Sequence, residues 1–221
     1  SFYRAPISNC KPEKEMSLRE IHDFIKNGRS GIVIKLRGIK DEKEARSYKA
    51  SKFDHCTFSG IFTHRKEDGL VQHSGLLCLD FDHLDDVESV FQKLISDPRC
   101  PTALLFRSPS GDGLKWVVPI DVDQMSHEDW FYALSSYVHD TYGLEADNHC
   151  KDVCRACFLP RDVNVYMDEE VFSKRLFVPD SVLSDPEPVR DAVAGDDSFE
   201  AVVERIEAAQ VDIAPDYNQW L

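Results

Sequence analysis

The chain has no apolar run near the ~20 residues a membrane-crossing helix needs. Its start, SFYRAPISNCKPEKE, lacks the charged-then-apolar order of a secretion signal. Nothing therefore directs it to a membrane or out of the cell, and the cytoplasm is the expected compartment. Internal repeats and low-complexity runs are also missing, which sets aside solenoid and fibrous architectures. Positive charge is scarce: 26 Lys and Arg stand against 40 Asp and Glu, a net of −14 over 221 residues. Phosphate binding usually leaves a basic footprint, so the balance at first sight speaks against a nucleic-acid partner. The deficit is uneven, however. Residues 180–221 carry −9, which leaves −5 on residues 1–179. An early basic stretch, Lys35, Arg37, Lys40, Arg46, Lys49 and Lys52, is interleaved with acids and fits either a groove lining or solvated faces. The seven cysteines are an odd number scattered through apolar segments, which suits reduced thiols better than a disulfide framework.

At 42% hydrophobic content the chain can bury a sizeable core. SLREIHDFIKNG predicts a helix with Ser17 as N-cap and Gly28 as stop, and the β-branched GIVIKLR predicts a strand. DEKEARSYKASKF follows as a charged helix. CTFSGIFTHR, LVQHSG and LLCLDFD read as strands, LDDVESVFQKLISDP as an amphipathic helix, TALLFRS and LKWVVPIDV as strands, and SHEDWFYALSSYVHDTYG as a helix closed by Gly143. The mixture of hairpins and helices predicts an α+β fold with a mixed or antiparallel sheet. From Val178 the texture becomes rich in proline, aspartate and serine. The expected organisation is a domain over 1–178, an acidic linker over 179–197 and the truncated start of a following helical domain over 198–221.

Two segments point to chemistry. LLCLDFDH ends in Asp80 and Asp82, which share one face of a strand because side chains alternate along it. Two converging anions behind an apolar run call for a cation between them or a proton on one, so a metal site is the first expectation. In SPSGDGLK, Ser108, Ser110, Gly111 and Gly113 form a turn that can offer N–H groups and hydroxyls to phosphate oxygens, with Lys115 entering the next strand as a point charge. A plain Gly-Asp-Gly turn between two strands is the competing reading of that turn. A third segment, GLEADNHCKDVCRACFLPRD, adds Asp147, Asp152 and Arg155 ahead of an apolar strand.

The order LDFD, SPSGDGLK, then Asp147 with Arg155 eight residues on resembles the three motifs of the archaeo-eukaryotic primase superfamily, the primase-polymerases. TFSGIFTHR, LLCLDFDHLDD and SPSGDGLKWVV are more similar still to the N-terminal domain of virulence-associated E proteins of mobile-element and phage-like replication systems. The likeness spans roughly residues 15–178, and QVDIAPDYNQWL resembles the opening of the helical domain that often precedes a helicase. The resemblance implies an α/β unit packed on an RRM-like sheet with a cleft between them. It further implies that Asp80, Asp82 and Asp147 are catalytic and hold Mg²⁺ or Mn²⁺. The nucleotide-binding set would be Ser108, Ser110, Gly111, Gly113, Lys115 and Arg155. The partners implied are a nucleoside triphosphate, single-stranded template DNA and a downstream helicase. The activity implied is metal-dependent nucleotidyl transfer, the alternative being an inactive nucleotide- or DNA-binding relative that positions the helicase. Lys115 stands where the superfamily carries histidine, and an ammonium is not an imidazole.

Other residues have plainer expectations. Cys150, Cys154 and Cys157 have a spacing seen at iron–sulfur and zinc sites, with His149 as a further zinc ligand, but small apolar residues flanking a strand are the expected reading. His83 reads as a solvent-facing histidine, and His64 and Arg65 as cleft or hairpin-end residues. Trp116, Trp130 and Phe131 read as core.

Overall fold

The computed structural model describes residues 1–174 and 176–179. The expected linker and following helical domain lie outside the described residues, apart from Pro179. The architecture is α+β with every strand pair antiparallel. Its centre is a four-stranded sheet in the order β5-β7-β6-β9, formed by β5 (Leu76–Phe81), β6 (Leu104–Arg107), β7 (Leu114–Pro119) and β9 (Tyr166–Met167). Helix α4 (Val87–Ile95) connects β5 to β6, and β7 runs antiparallel between them, so these elements make a split β-α-β unit. Helix α5 (His127–Tyr142) follows β7.

Strand alternation gives this sheet two faces with two separate cores. Leu77, Leu79 and Phe81 of β5, Leu105 of β6, and Trp116 and Val118 of β7 point toward Phe91 and Leu94 of α4 and Trp130, Leu134 and Val138 of α5. Each such fully buried large side chain stabilises the fold by about 2 kcal/mol. The indole of Trp116 donates to Thr102 Oγ1 at 2.7 Å, and Thr102 passes the bond on to the Leu94 carbonyl at 3.0 Å, so both of these buried polar groups are satisfied.

The opposite face, carrying Leu76, Leu104, Phe106 and Val117, packs on the N-terminal elements. These include β1 (Phe2–Tyr3), α1 (Leu18–Lys26), β2 (His55–Cys56) and β8 (Cys157–Phe158), with β1-β2-β8 forming a small sheet. Helix α1 starts where its sequence predicts. Ser17 and Glu20 make a reciprocal capping box, and Ile21 and Ile25, one turn apart, are buried. The strands β3 (Gly60–Phe62) and β4 (Leu70–His73) form a separate hairpin.

Two expectations are corrected. GIVIKLR is not a strand but lies within helix α2 (Ser30–Gly38). The buried pair is Val33 and Leu36, three residues apart on one helical face against Phe53, while Ile34 is 71% exposed. β-Branched residues cost only a few tenths of a kcal/mol each in a helix, and packing against α3 (Glu42–Lys52) overrides that. CTFSGIFTHR is two short strands in different sheets, β2 and β3, rather than one. Among the described residues no helix is long and apolar enough to cross a membrane.

Candidate functional site

Asp80 is the last polar residue of β5, on the face shared with Leu76 and Cys78, and its in-register partner on β7 is Lys115. Both side chains are largely buried, Lys115 at 9% and Asp80 at 13% exposure, and they form a direct ion pair. Asp82 lies one residue beyond the strand, half exposed, with Oδ1 3.9 Å from the Lys115 ammonium. The pair of carboxylates therefore has a cation beside it, and the chain supplies it. Asp80 Oδ1 remains buried without a hydrogen-bond donor.

Asp147 joins this pair through the backbone. Its N–H donates to the Asp80 carbonyl at 2.9 Å, along the edge of β5 that faces away from β7. Its side chain caps the short 3₁₀ turn Asn148–Lys151, accepting from the His149 N–H at 3.0 Å, and Arg155 donates to its Oδ2 at 2.8 Å. Burial would raise the Asp147 carboxyl, but the bonds from His149 and the Arg155 charge outweigh it and hold the group below the usual carboxylate range.

These groups share a cleft of about 300 Å³ lined by Asp80, Asp82, Lys115, Asp147, Asp152 and Arg155, with Lys49 and Arg65 at its walls. Of the early basic stretch, Lys49 reaches the cleft; its helical position alone does not separate it from its solvated neighbours. Arg65 is anchored by donating to the Ile7 carbonyl at 2.7 Å. Below the cleft floor the Lys115 stem passes Cys78, Cys150 and Cys157. Burial pushes the Lys115 ammonium down from its ordinary value. The neighbouring Cys78 thiol holds the Cys157 thiol below its ordinary value, and burial pushes Cys150 up to about 12.

The glycine turn is placed differently. It joins β6 to β7 and closes on itself: Ser108 N–H donates to the Gly113 carbonyl at 2.8 Å, and Gly111 N–H to the Ser108 carbonyl at 3.0 Å. Ser108 Oγ lies 3.0 Å from Ser110 Oγ, which donates to Asp112. Ser108, Ser110, Gly111 and Gly113 do not line the carboxylate cleft. They abut it, because a Cβ on Gly113 would sit 2.3 Å from the Phe81 carbonyl and 3.3 Å from Asp82 Oδ1. Gly111 has φ +93°, and Arg37 of α2 reaches across to the Pro109 carbonyl at 3.2 Å. The turn thus abuts the end of β5, with the Ser108 and Gly111 N–H groups bonded within it.

His83 is 89% exposed and pairs with Asp112 at 3.0 Å. His64 pairs with Asp68 at 3.1 Å, and Trp116, Trp130 and Phe131 are core. All seven cysteines are free thiols. Among the described residues no group of three or more His, Cys, Asp or Glu is closed around a single point, neither the cysteine cluster with His149 nor the three carboxylates. A hydrogen-bond chain missed by sequence reasoning flanks the site: Gly75 N–H donates to His73 Nδ1 at 3.0 Å, and His73 Nε2 lies 3.0 Å from His127 Nδ1.

Among known families, the BT4734-like, N-terminal domain matches residues 48–167. That is more than half of the 221 residues. The chain belongs to the BT4734-like N-terminal domain family. The matched span runs from α3 to β9 and so includes both carboxylates of the pair, the glycine turn, Asp147 and Arg155. No curated protein and no solved structure shows significant similarity to the chain.

Proposed function

We propose that residues 1–178 form a primase-polymerase-type nucleotidyltransferase domain of a mobile-element or phage-type replication protein. The observation that carries this reading is the convergence of Asp80, Asp82 and Asp147 with Lys115 and Arg155 on one cleft. The split β-α-β order of β5, α4, β6 and β7 supports it, since that is the core of an RRM-like sheet. So does the packing of the N-terminal elements on the sheet's other face.

The donors fit a hard divalent cation. Carboxylate oxygens are the ligands that Mg²⁺ and Mn²⁺ take, and Asp80 Oδ1 is buried and unpartnered. Asp80, Asp82 and Asp147 would hold the metal, which when bound stabilises charge on the attacking 3′-oxygen and the leaving pyrophosphate. Arg155 orients Asp147 and lies beside the triphosphate. Lys49 and Arg65 neutralise the incoming polyanion at the cleft wall, and Lys115 contributes a compact charge for a phosphate oxygen. Template DNA and a downstream helicase complete the working assembly.

A second reading, an inactive nucleotide- or DNA-binding relative that positions the helicase, is favoured by one observation: the Lys115 ammonium already neutralises Asp80. Primer synthesis and extension by the full-length protein with labelled nucleotides and Mn²⁺ decide between them. Metal-dependent product lost in the Asp80→Ala, Asp82→Ala double variant is the expected result. Absence of product from the full-length protein refutes the enzyme, and nucleotide binding that persists without product selects the second reading.

A further inference from the structure

The cleft is balanced in charge before anything enters it. Four basic side chains, Lys49, Arg65, Lys115 and Arg155, face four acidic ones, Asp80, Asp82, Asp147 and Asp152. A lone divalent ion leaves that cleft with two uncompensated positive charges, and a lone triphosphate leaves it strongly negative. Two divalent ions with one triphosphate leave it neutral. The balance is enforced locally by Lys115, which enters from the neighbouring strand in register with Asp80 and is held there by burial. Its ammonium reaches toward Asp82 as well, at 3.9 Å, and so occupies the gap a cation bridging the two carboxylates would need. Yet it leaves Asp80 Oδ1 without a partner, an unfinished coordination for a permanent structural ion pair. The side chain ends a flexible four-carbon stem and can leave without moving the strand.

We propose that Lys115 is a built-in counter-ion that closes the carboxylate pair to free divalent metal and leaves it only when a polyphosphate arrives to take up the ammonium. Metal and nucleotide then load together rather than in sequence. This rests on the metal-dependent reading above and adds to it an order of loading. The thermodynamic signature is reciprocal: nucleotide raises metal affinity, and metal raises nucleotide affinity by the same factor.

The test uses Mn²⁺ as probe, followed by electron paramagnetic resonance of the free ion, on wild type, Lys115→Met and Lys115→Arg, with circular dichroism confirming that each is folded. Lys115→Met should bind Mn²⁺ at least ten-fold more tightly than wild type, and Lys115→Arg, which keeps the charge, should resemble wild type. In the wild-type protein, thermal denaturation provides an arm that needs no variant. Mn²⁺ with a non-hydrolysable deoxynucleoside triphosphate should raise the midpoint by more than the sum of the two shifts measured separately. Equal Mn²⁺ affinity in wild type and Lys115→Met, or additive shifts in wild type, overturns the counter-ion role while leaving the metal site standing. Mn²⁺ bound by neither protein overturns the metal-dependent reading as well.

Discussion

Replacing Lys115 by methionine tests what the ammonium does for the fold. Methionine preserves the length and most of the apolar stem, so packing against Cys78, Cys150 and Cys157 is retained while the charge is removed. What remains is Asp80, 13% exposed, one oxygen already unpartnered and the other stripped of its ion pair. Breaking a buried pair in this way costs about 3–5 kcal/mol, whereas replacing both partners with apolar side chains is often neutral or stabilising. The partial exposure of Asp82 lets water reach the rim, so the lower end, ~3 kcal/mol, is expected. For a domain of this size that corresponds to roughly 6–12 °C in midpoint. Urea denaturation in metal-free buffer of wild type, Lys115→Met and the double variant Asp80→Leu, Lys115→Met measures it. The single variant should lose stability and the double variant should recover most of it. If the single variant is as stable as wild type, the ammonium is not the compensating charge. If the double variant stays as unstable as the single, the cost is one of packing and not of electrostatics.

Three further outcomes are expected. Gly113→Ala places a Cβ 2.3 Å from the Phe81 carbonyl and should cost on the order of 2 kcal/mol, read as a lower urea midpoint. Arg155→Ala removes a half-exposed ion pair to Asp147, so stability should change by less than about 1 kcal/mol while triphosphate affinity in a filter-binding assay falls several-fold. Burial, aided by Arg65 for His55 and by His73 for His127, lowers both histidines from 6.5 to about 4. The unfolded chain therefore binds the extra protons, and stability, full above pH 6.5, should decline as pH falls toward 4. The combined loss by pH 4.5 should be on the order of 5 kcal/mol, about half from each histidine, seen as urea midpoints that drop between pH 7.5 and 4.5.

The acidic pair was legible because strand alternation depends only on sequence: LLCLDFD puts Asp80 on one face wherever the strand lies. Long helices with caps, α1, α4 and α5, were legible for the same reason, since their signals are local. Lys115 opposite Asp80 was not, because register is set by the hairpin between β6 and β7 and by the pairing of β5, neither of which is a local property. Composition alone leaves the glycine turn open between a phosphate cradle and a plain turn joining two strands. Its geometry is that of a self-bonded hairpin, because serine hydroxyls and N–H groups in a tight turn reach each other at no cost in order. Helix α2 misled because β-branched composition is a weaker signal than the packing of Val33 and Leu36 on Phe53.

The two cores of the central sheet leave a trace that a saturation scan would record. Along β5 and β7, Leu79 and Trp116 belong to the compartment that keeps the protein folded, while their immediate neighbours Asp80 and Lys115 face the cleft. At the cleft end of the two strands neighbouring codons should therefore respond differently: loss of soluble protein at Leu79 and Trp116, loss of binding at Asp80 and Lys115, while Leu76 and Val117 farther along the cleft-side face belong to the second core. A single-residue insertion within β7 would exchange the two series at once, turning Trp116 toward the carboxylates and the ammonium into the apolar core.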